Sequence, residues 1–211
     1  MRACSRGCSR ITGCPPAFAD QNTLVYHAFL HALTVFGLPD SGLSLHMRSD
    51  IPPARGLGSS AACVTAGIMG AAALFGFSLS KEELFDLAAQ MEGHPDNAAA
   101  AVFGGLRAAI THEGKAHSLP LTLHPSLRFL TLVPDFPLST HEARRVLPET
   151  VSREDAVFNL SHTAYLIKAL ETGEAGAIRL ACVDRLHQPF RFPLIPGAEA
   201  LAQSALDAGA Y

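Results

Sequence analysis

No excess of basic residues runs through this chain: 16 Lys+Arg stand against 19 Asp+Glu, a formal net charge of −3. That absence excludes a general nucleic-acid binder, which needs a basic surface. Charge of either sign is scarce, at 17%, while hydrophobic residues reach 48%. A chain so apolar with so small a net charge is not disordered. Its 17 Gly and 14 Pro follow no G-X-Y period, which excludes a collagen-like rod. The five cysteines are an odd set, and Cys63 and Cys182 lie inside strongly apolar segments, so a disulfide scaffold is excluded and a reducing compartment is implied. Cys4, Cys8 and Cys14 have the spacing C-x3-C-x5-C, which matches no standard zinc or iron–sulfur pattern and has no fourth ligand nearby. At 211 residues the chain is long enough for one domain, or one and a piece of a second, with a core that needs no staples.

Charge is absent altogether between Arg55 and Lys81. Residues 59–77 are nonetheless no membrane span, because most of them are Gly, Ser, Thr or Ala, which supply little insertion energy. They read as a buried helix whose small residues permit close packing. Residues 1–19 carry Arg2, Arg6 and Arg10 with no acid before Asp20, but no continuous apolar stretch follows as a secretory signal requires. Gly7, Gly13, Cys14 and the Pro15-Pro16 pair also make a poor amphipathic transit helix. At the other end an amphipathic helix over 197–208 runs into Gly209, where a strand is expected next and the sequence stops. Both ends therefore read as cut.

Between them, the pattern predicts an α+β chain. Apolar spacing predicts a helix over 22–36, closed by Gly37, and alternation at Leu43, Leu45 and Met47 predicts a strand. A long Ala-rich helix to about Phe75 follows, then a helix opened by the capping box of Ser80 and Glu83. A loop over 92–97 leads to a short helical turn at 98–102, and strands are predicted at 105–111 and 127–133. Ser152 caps a helix that Gly173 ends. His27 and His31 share one helix face at i and i+4, but without a neighbouring Glu or third ligand they read as solvated.

The chemistry begins at Gly56-Leu57-Gly58-Ser59-Ser60, which leads straight into the Ala-rich helix. Free backbone N–H groups and the positive dipole end there suit an anion, and glycines let backbone approach it closely. It is neither a Walker loop nor G-x-G-x-x-G. A Gly-containing turn capped by Ser would look the same from local physics alone.

The longer stretch Pro52-Pro53-Ala54-Arg55-Gly56-Leu57-Gly58-Ser59-Ser60-Ala61-Ala62 resembles the second signature of the GHMP kinases, P-x-x-x-G-L-G-S-S-A-A. Three further stretches are similar to homoserine kinases within that superfamily: Glu92-Gly93-His94-Pro95-Asp96-Asn97, Ser139-Thr140-His141-Glu142-Ala143-Arg144, and Arg185-Leu186-His187-Gln188-Pro189-Phe190-Arg191. Their order and spacing match over roughly 20–211. The resemblance implies the two-lobed GHMP kinase fold, with residues 20–133 as an N-terminal ATP-binding region and 134–211 as an incomplete C-terminal region. It implies ATP-dependent phosphorylation of the L-homoserine hydroxyl in threonine biosynthesis, in a cytoplasmic enzyme for which a homodimer is an admissible state.

By that resemblance Pro52, Arg55, Gly56, Leu57, Gly58, Ser59, Ser60 and Ala61 hold the ATP phosphates, and Glu92 with Ser60 holds Mg²⁺, a hard ion that favours oxygen. Glu92 sits at a helix C-terminus, an unfavourable place for negative charge without a cation. Arg144 and Arg191 suit the substrate carboxylate, because a planar guanidinium matches its geometry. Asn97 and Thr140 contact the substrate. Related GHMP kinases carry an Asp base at the position of Asn97; an amide takes no proton at neutral pH, and homoserine kinases are thought to work by positioning and charge stabilisation instead.

The family's opening strand with P-x-x-x-A-N-x-G-P-G-F-D and its Gly-Ser-Gly-Pro-like loop have no counterpart in these residues. Without that strand a sheet edge is expected to lie open. The alternatives are a catalytically incomplete GHMP-type fragment, or a GHMP kinase for another small alcohol such as mevalonate. Asn97 and the two arginines speak against the second.

Overall fold

Thr23 opens the first described helix, α1 (Leu24–Val35), its hydroxyl accepting from the Tyr26 N–H at 3.3 Å. Val25, Ala28, Phe29, Ala32 and Leu33 recur at helical spacing and are buried as one stripe. The computed structural model describes residues 1–4, 10–14, 23–136 and 140–211, with Asn22 outside them. The chain divides into two compact units, Met1–Pro120 and Leu121–Tyr211.

In the first unit the expected strand is β3 (Gly42–His46), and it lies in the middle of a three-stranded sheet. β1 (Arg2–Cys4) pairs with it antiparallel and β2 (Arg10–Thr12) pairs parallel, Ile11 opposite Leu45. Residues 2–4 and 10–12 thus supply both neighbours of β3, and the edge expected to lie open at that strand is paired. Both neighbours are three residues long, Arg-Ala-Cys and Arg-Ile-Thr, too short for alternation to be read. Residues 5–9 and 15–19, including Cys8, lie outside the described residues.

The charge-free stretch forms α2 (Ser59–Phe75), which packs on α1. Its small residues have the function expected of them. A Cβ on Gly67 would collide with the Val25 carbonyl oxygen and meet the Ala28 Cβ at 2.7 Å. Gly67→Ala is therefore expected to destabilise this unit by about 1–3 kcal/mol, as overpacking does. A urea midpoint equal to that of the parent chain would contradict the close approach. Among the described residues no helix is long and apolar enough to cross a membrane.

α3 (Lys81–Glu92) starts in the full capping box of Ser80 and Glu83, and α4 (Asp96–Phe103) follows after a short turn. β4 (Arg107–His112) and β5 (Lys115–Pro120) form a hairpin through Glu113 and Gly114, both at positive φ. β5 escapes sequence reading because Lys, His, Ser and Pro break its alternation. The hairpin joins the core through Ala116, whose N–H donates to Asp86 at 3.0 Å. Phe29, Leu33, Leu43, Val64 and Ile68 are the large side chains at the centre of that core.

The second unit holds α5 (Thr140–Arg145), α6 (Arg153–Thr172), α7 (Ala175–Ala181), the one-turn α8 (Gln188–Arg191) and α9 (Ala198–Asp207). Its buried cluster is small: Leu127, Ala169 and Ile178, with Leu123, Leu166, Leu170 and Ala177 against it. The strand expected over 127–133 is not formed. The pattern is strand-like, but among the described residues no strand pairs with it, and Phe129, Leu130, Leu132 and Val133 are exposed. Extended backbone without a ladder partner is not a strand.

His27 is exposed on α1, as expected, but His31 is half-buried. Its Nε2 is buried without a hydrogen-bond partner among the described residues, as is the Thr65 hydroxyl. No group of three or more His, Cys, Asp or Glu able to hold a metal occurs among the described residues.

Candidate active site

The loop before α2 is shaped by left-handed backbone. Ala54, Gly56 and Gly58 have φ of 56°, 71° and 73°, and only glycine takes such angles without steric cost. Gly58 is the N-cap of α2 and offers no side chain to its first turn, unlike Ser80 at α3 and Ser152 at α6. The first-turn N–H groups and the dipole of a 17-residue helix thus face outward at one point. Pro52, Arg55 and Ser59 are partly buried around it, Gly56, Leu57 and Ser60 are exposed, and Ala61 is buried beneath.

Ser60 and Glu92 meet here. The Ser60 hydroxyl donates to Glu92 Oε1 at 2.6 Å, joining the first turn of α2 to the last residue of α3. Two hard oxygen donors beside a helix N-terminus without a side-chain cap are of the type that suits a hydrated Mg²⁺. Cys63 lies one turn further along α2, a neighbour that sequence reading did not single out. Burial, then the Glu92 carboxylate, then Cys14 push its thiol above the ordinary range.

From Glu92 the chain turns through Gly93, at φ 75°, into the start of α4. His94 Nδ1 and Asp96 Oδ1 lie 2.7 Å apart, and the same oxygen accepts from the Asn97 N–H at 2.8 Å. Asn97 is exposed in the first turn of α4.

The remaining expected residues belong to the second unit. Arg144 is exposed in the last turn of α5, which begins at Thr140; the Thr140 side chain and Ser139 lie outside the described residues. Arg191 ends α8, is half-buried, and donates from Nε to the Ala143 carbonyl at 3.1 Å. The two arginines are thus joined through adjacent residues. Ser60, Glu92 and Asn97 lie in the first unit, where Ser60 and Glu92 meet, and Arg144 and Arg191 lie in the second.

Behind Arg191 lies a carboxylate missed in the sequence. Asp184 accepts from the Asn159 amide at 2.6 Å and from the backbone N–H groups of Leu186 and His187 at 3.0 and 2.7 Å, and from that of Gln188. An acid shortly before Gln188-Pro189, with Pro in the first turn of a helix, is the local signal that could have found it. Partial burial pushes its carboxyl up, but bonds from Gln188, Asn159, Leu186 and His187 outweigh this and hold it well below the usual carboxylate range. A depressed folded value gives stability that is complete above the unfolded value and lost as pH falls through the folded one. Acid unfolding, followed by circular dichroism, is therefore expected to deepen below about pH 4. Asp184→Asn should flatten that dependence, and an unchanged acid limb would contradict it.

Residues 23–105 match the family described as GHMP kinases N terminal domain. The chain is 43% identical over 183 residues to a homoserine kinase of Clostridium botulinum, an alignment covering 87% of this chain and 62% of that relative. It is 36% identical over 202 residues to the homoserine kinase of Clostridium beijerinckii, covering 95% of this chain and 68% of the relative. The crystal structure of homoserine kinase from Cytophaga hutchinsonii superposes with a TM-score of 0.81 at 25% identity, over 99% of this chain and 69% of that one. Streptococcus pneumoniae phosphomevalonate kinase, at 14% identity and TM-score 0.66, shares the fold alone. The chain thus spans 62% of the length of the botulinum relative.

Proposed function

Because the chain belongs to the homoserine kinase family, we propose that it transfers the γ-phosphoryl group of ATP to the hydroxyl of L-homoserine. The observation that carries this reading is the Ser60–Glu92 hydrogen bond at the uncapped head of α2. It unites an anion-binding helix end with the oxygen donors a nucleotide-bound divalent ion needs.

In this reading residues 52–61 bind the ATP phosphates, with backbone N–H donors at the start of α2 and the Arg55 guanidinium supplying positive potential. Ser60 and Glu92 hold Mg²⁺, which when bound neutralises phosphate charge. Arg144 and Arg191 bind the substrate carboxylate, and Asn97 and Thr140 orient the substrate. The substrate oxygen forms its bond to phosphorus as the bond to ADP breaks, and the hydroxyl proton passes to water. Asn97 is an amide and cannot take the proton, so no side chain is assigned as base and the chain's work is positioning and charge stabilisation. Residues 20–133 supply the nucleotide side and 134–211 the arginines; a cytoplasmic enzyme accords with this reading.

The test is ADP release by the 211-residue chain with ATP, Mg²⁺ and L-homoserine, alongside calorimetric binding of L-homoserine and of ATP. Homoserine-dependent ADP release is expected. Turnover with mevalonate but not homoserine would overturn the substrate. Folded protein that binds neither ligand would overturn the reading as a whole.

A further inference from the structure

Resting on the reading of Arg191 as a carboxylate-binding residue, we propose that Asp184 and Asn159 are positioning residues that set the place of its guanidinium. α8 is a single turn of four residues, and so short a helix does not hold its own conformation in water. Its shape and direction must come from what binds its backbone.

Asp184 and Asn159 supply that binding almost completely. The Asn159 Oδ1 accepts from the Arg185 N–H at 2.9 Å, while Asp184 accepts from the N–H groups of Leu186, His187 and Gln188. The run 185–188 thus has its successive backbone donors taken by one Asn–Asp pair, itself closed by the bond from Asn159 Nδ2 to Asp184 Oδ1. The turn then continues on its own carbonyls, the Arg191 N–H donating to His187 O at 2.9 Å. Because Asn159 lies within α6, the loop is referenced to a 20-residue helix.

A second fastening agrees with the first. Arg185 reaches back to Glu154 at 3.2 Å and Asp155 at 3.3 Å, and its guanidinium lies 3.9 Å over the Phe158 ring. His187 Nδ1 approaches Asp184 Oδ1 at 3.5 Å, the other titratable group beside that carboxylate. At the far end of the turn Arg191 spends its Nε–H on the Ala143 carbonyl. That bond fixes the plane of the guanidinium and ties it to the segment carrying Arg144. A fork aimed at a carboxylate depends on this plane, so a loop that loosens at 185–188 misaims it.

The experiment compares the parent chain with Asp184→Asn and Asn159→Ala. The Arg191 Nε–H resonance is identified by its loss in Arg191→Lys, and its exchange with water is measured beside calorimetric L-homoserine affinity and the unfolding midpoint. Both variants are expected to bring this exchange close to that of a solvated arginine and to weaken homoserine binding about 10- to 100-fold, as small misplacements do. If both lower the unfolding midpoint while Nε–H exchange in the folded protein stays at the parent rate, the pair is merely structural and the proposal is overturned. Should Asp184→Asn not fold, Asn159→Ala carries the same comparison. If the variants loosen the Nε–H but Arg191→Ala leaves homoserine binding intact, positioning stands and the role assigned to Arg191 fails.

Discussion

Glu92→Gln is expected to lower phosphoryl transfer about 100- to 1,000-fold, the loss typical when one preorganised charge-stabilising group is removed. The substitution keeps the side chain's size, and the amide oxygen can still accept from the Ser60 hydroxyl that now donates at 2.6 Å. What disappears is the negative charge. That charge ends α3, where the helix's own carbonyls make it unfavourable, so the unfolding midpoint is expected to hold or rise by the equivalent of about 0.3–1 kcal/mol. A group that weakens the resting fold yet raises the rate is the pattern of a residue kept for chemistry. Turnover and calorimetric unfolding on the same samples check both halves. Unaltered turnover and Mg²⁺ dependence would remove Glu92 from the site.

Arg191→Ala is expected to raise the apparent KM for L-homoserine about 10- to 100-fold, since a charge-assisted hydrogen bond is worth about 1.5–3 kcal/mol. Arg144→Ala should act in the same direction, with kcat changed less than KM where binding is uniform. Lysine is the informative partner substitution. It keeps the charge of Arg191 but not the fork, and it lacks the Nε geometry that meets the Ala143 carbonyl at 3.1 Å. Initial rates over a homoserine series at saturating ATP decide the matter. An unchanged KM in both alanine variants would remove the arginines from the substrate.

Features that live within a few residues could be read directly from the chain. The capping box from Ser80 to Glu83 spans four residues, and the chain there takes the form its letters suggest. The buried stripe of α1 and the small-residue surface of α2 are likewise local periodicities. The Ser60–Glu92 bond joins residues 32 apart and the Arg191–Ala143 bond residues 48 apart. No spacing rule reaches that far: local physics singles out the loop that carries Ser60, but its pairing with Glu92, and the role of Arg191, came into view only through resemblance to a family. Asp184 stayed hidden because its partners are mostly backbone N–H groups, which every residue but proline carries. The segment 127–133 erred the other way: its residues favour a strand, but a strand is a property of two segments.

That same segment bears on how the protein behaves in a tube. Phe129, Leu130, Leu132 and Val133 form a strip of high β-propensity without proline, and they are exposed in the native conformation. Most proteins aggregate through partly unfolded species, so raising their stability keeps them soluble. Here the apolar strip is displayed by the folded molecule, so a stabilising substitution elsewhere leaves it in place. Any self-association through it is at least bimolecular, so its rate would climb steeply with concentration. Dilution, or a charge placed within the strip, is therefore the effective protection, and thermal stability is a poor guide to shelf life.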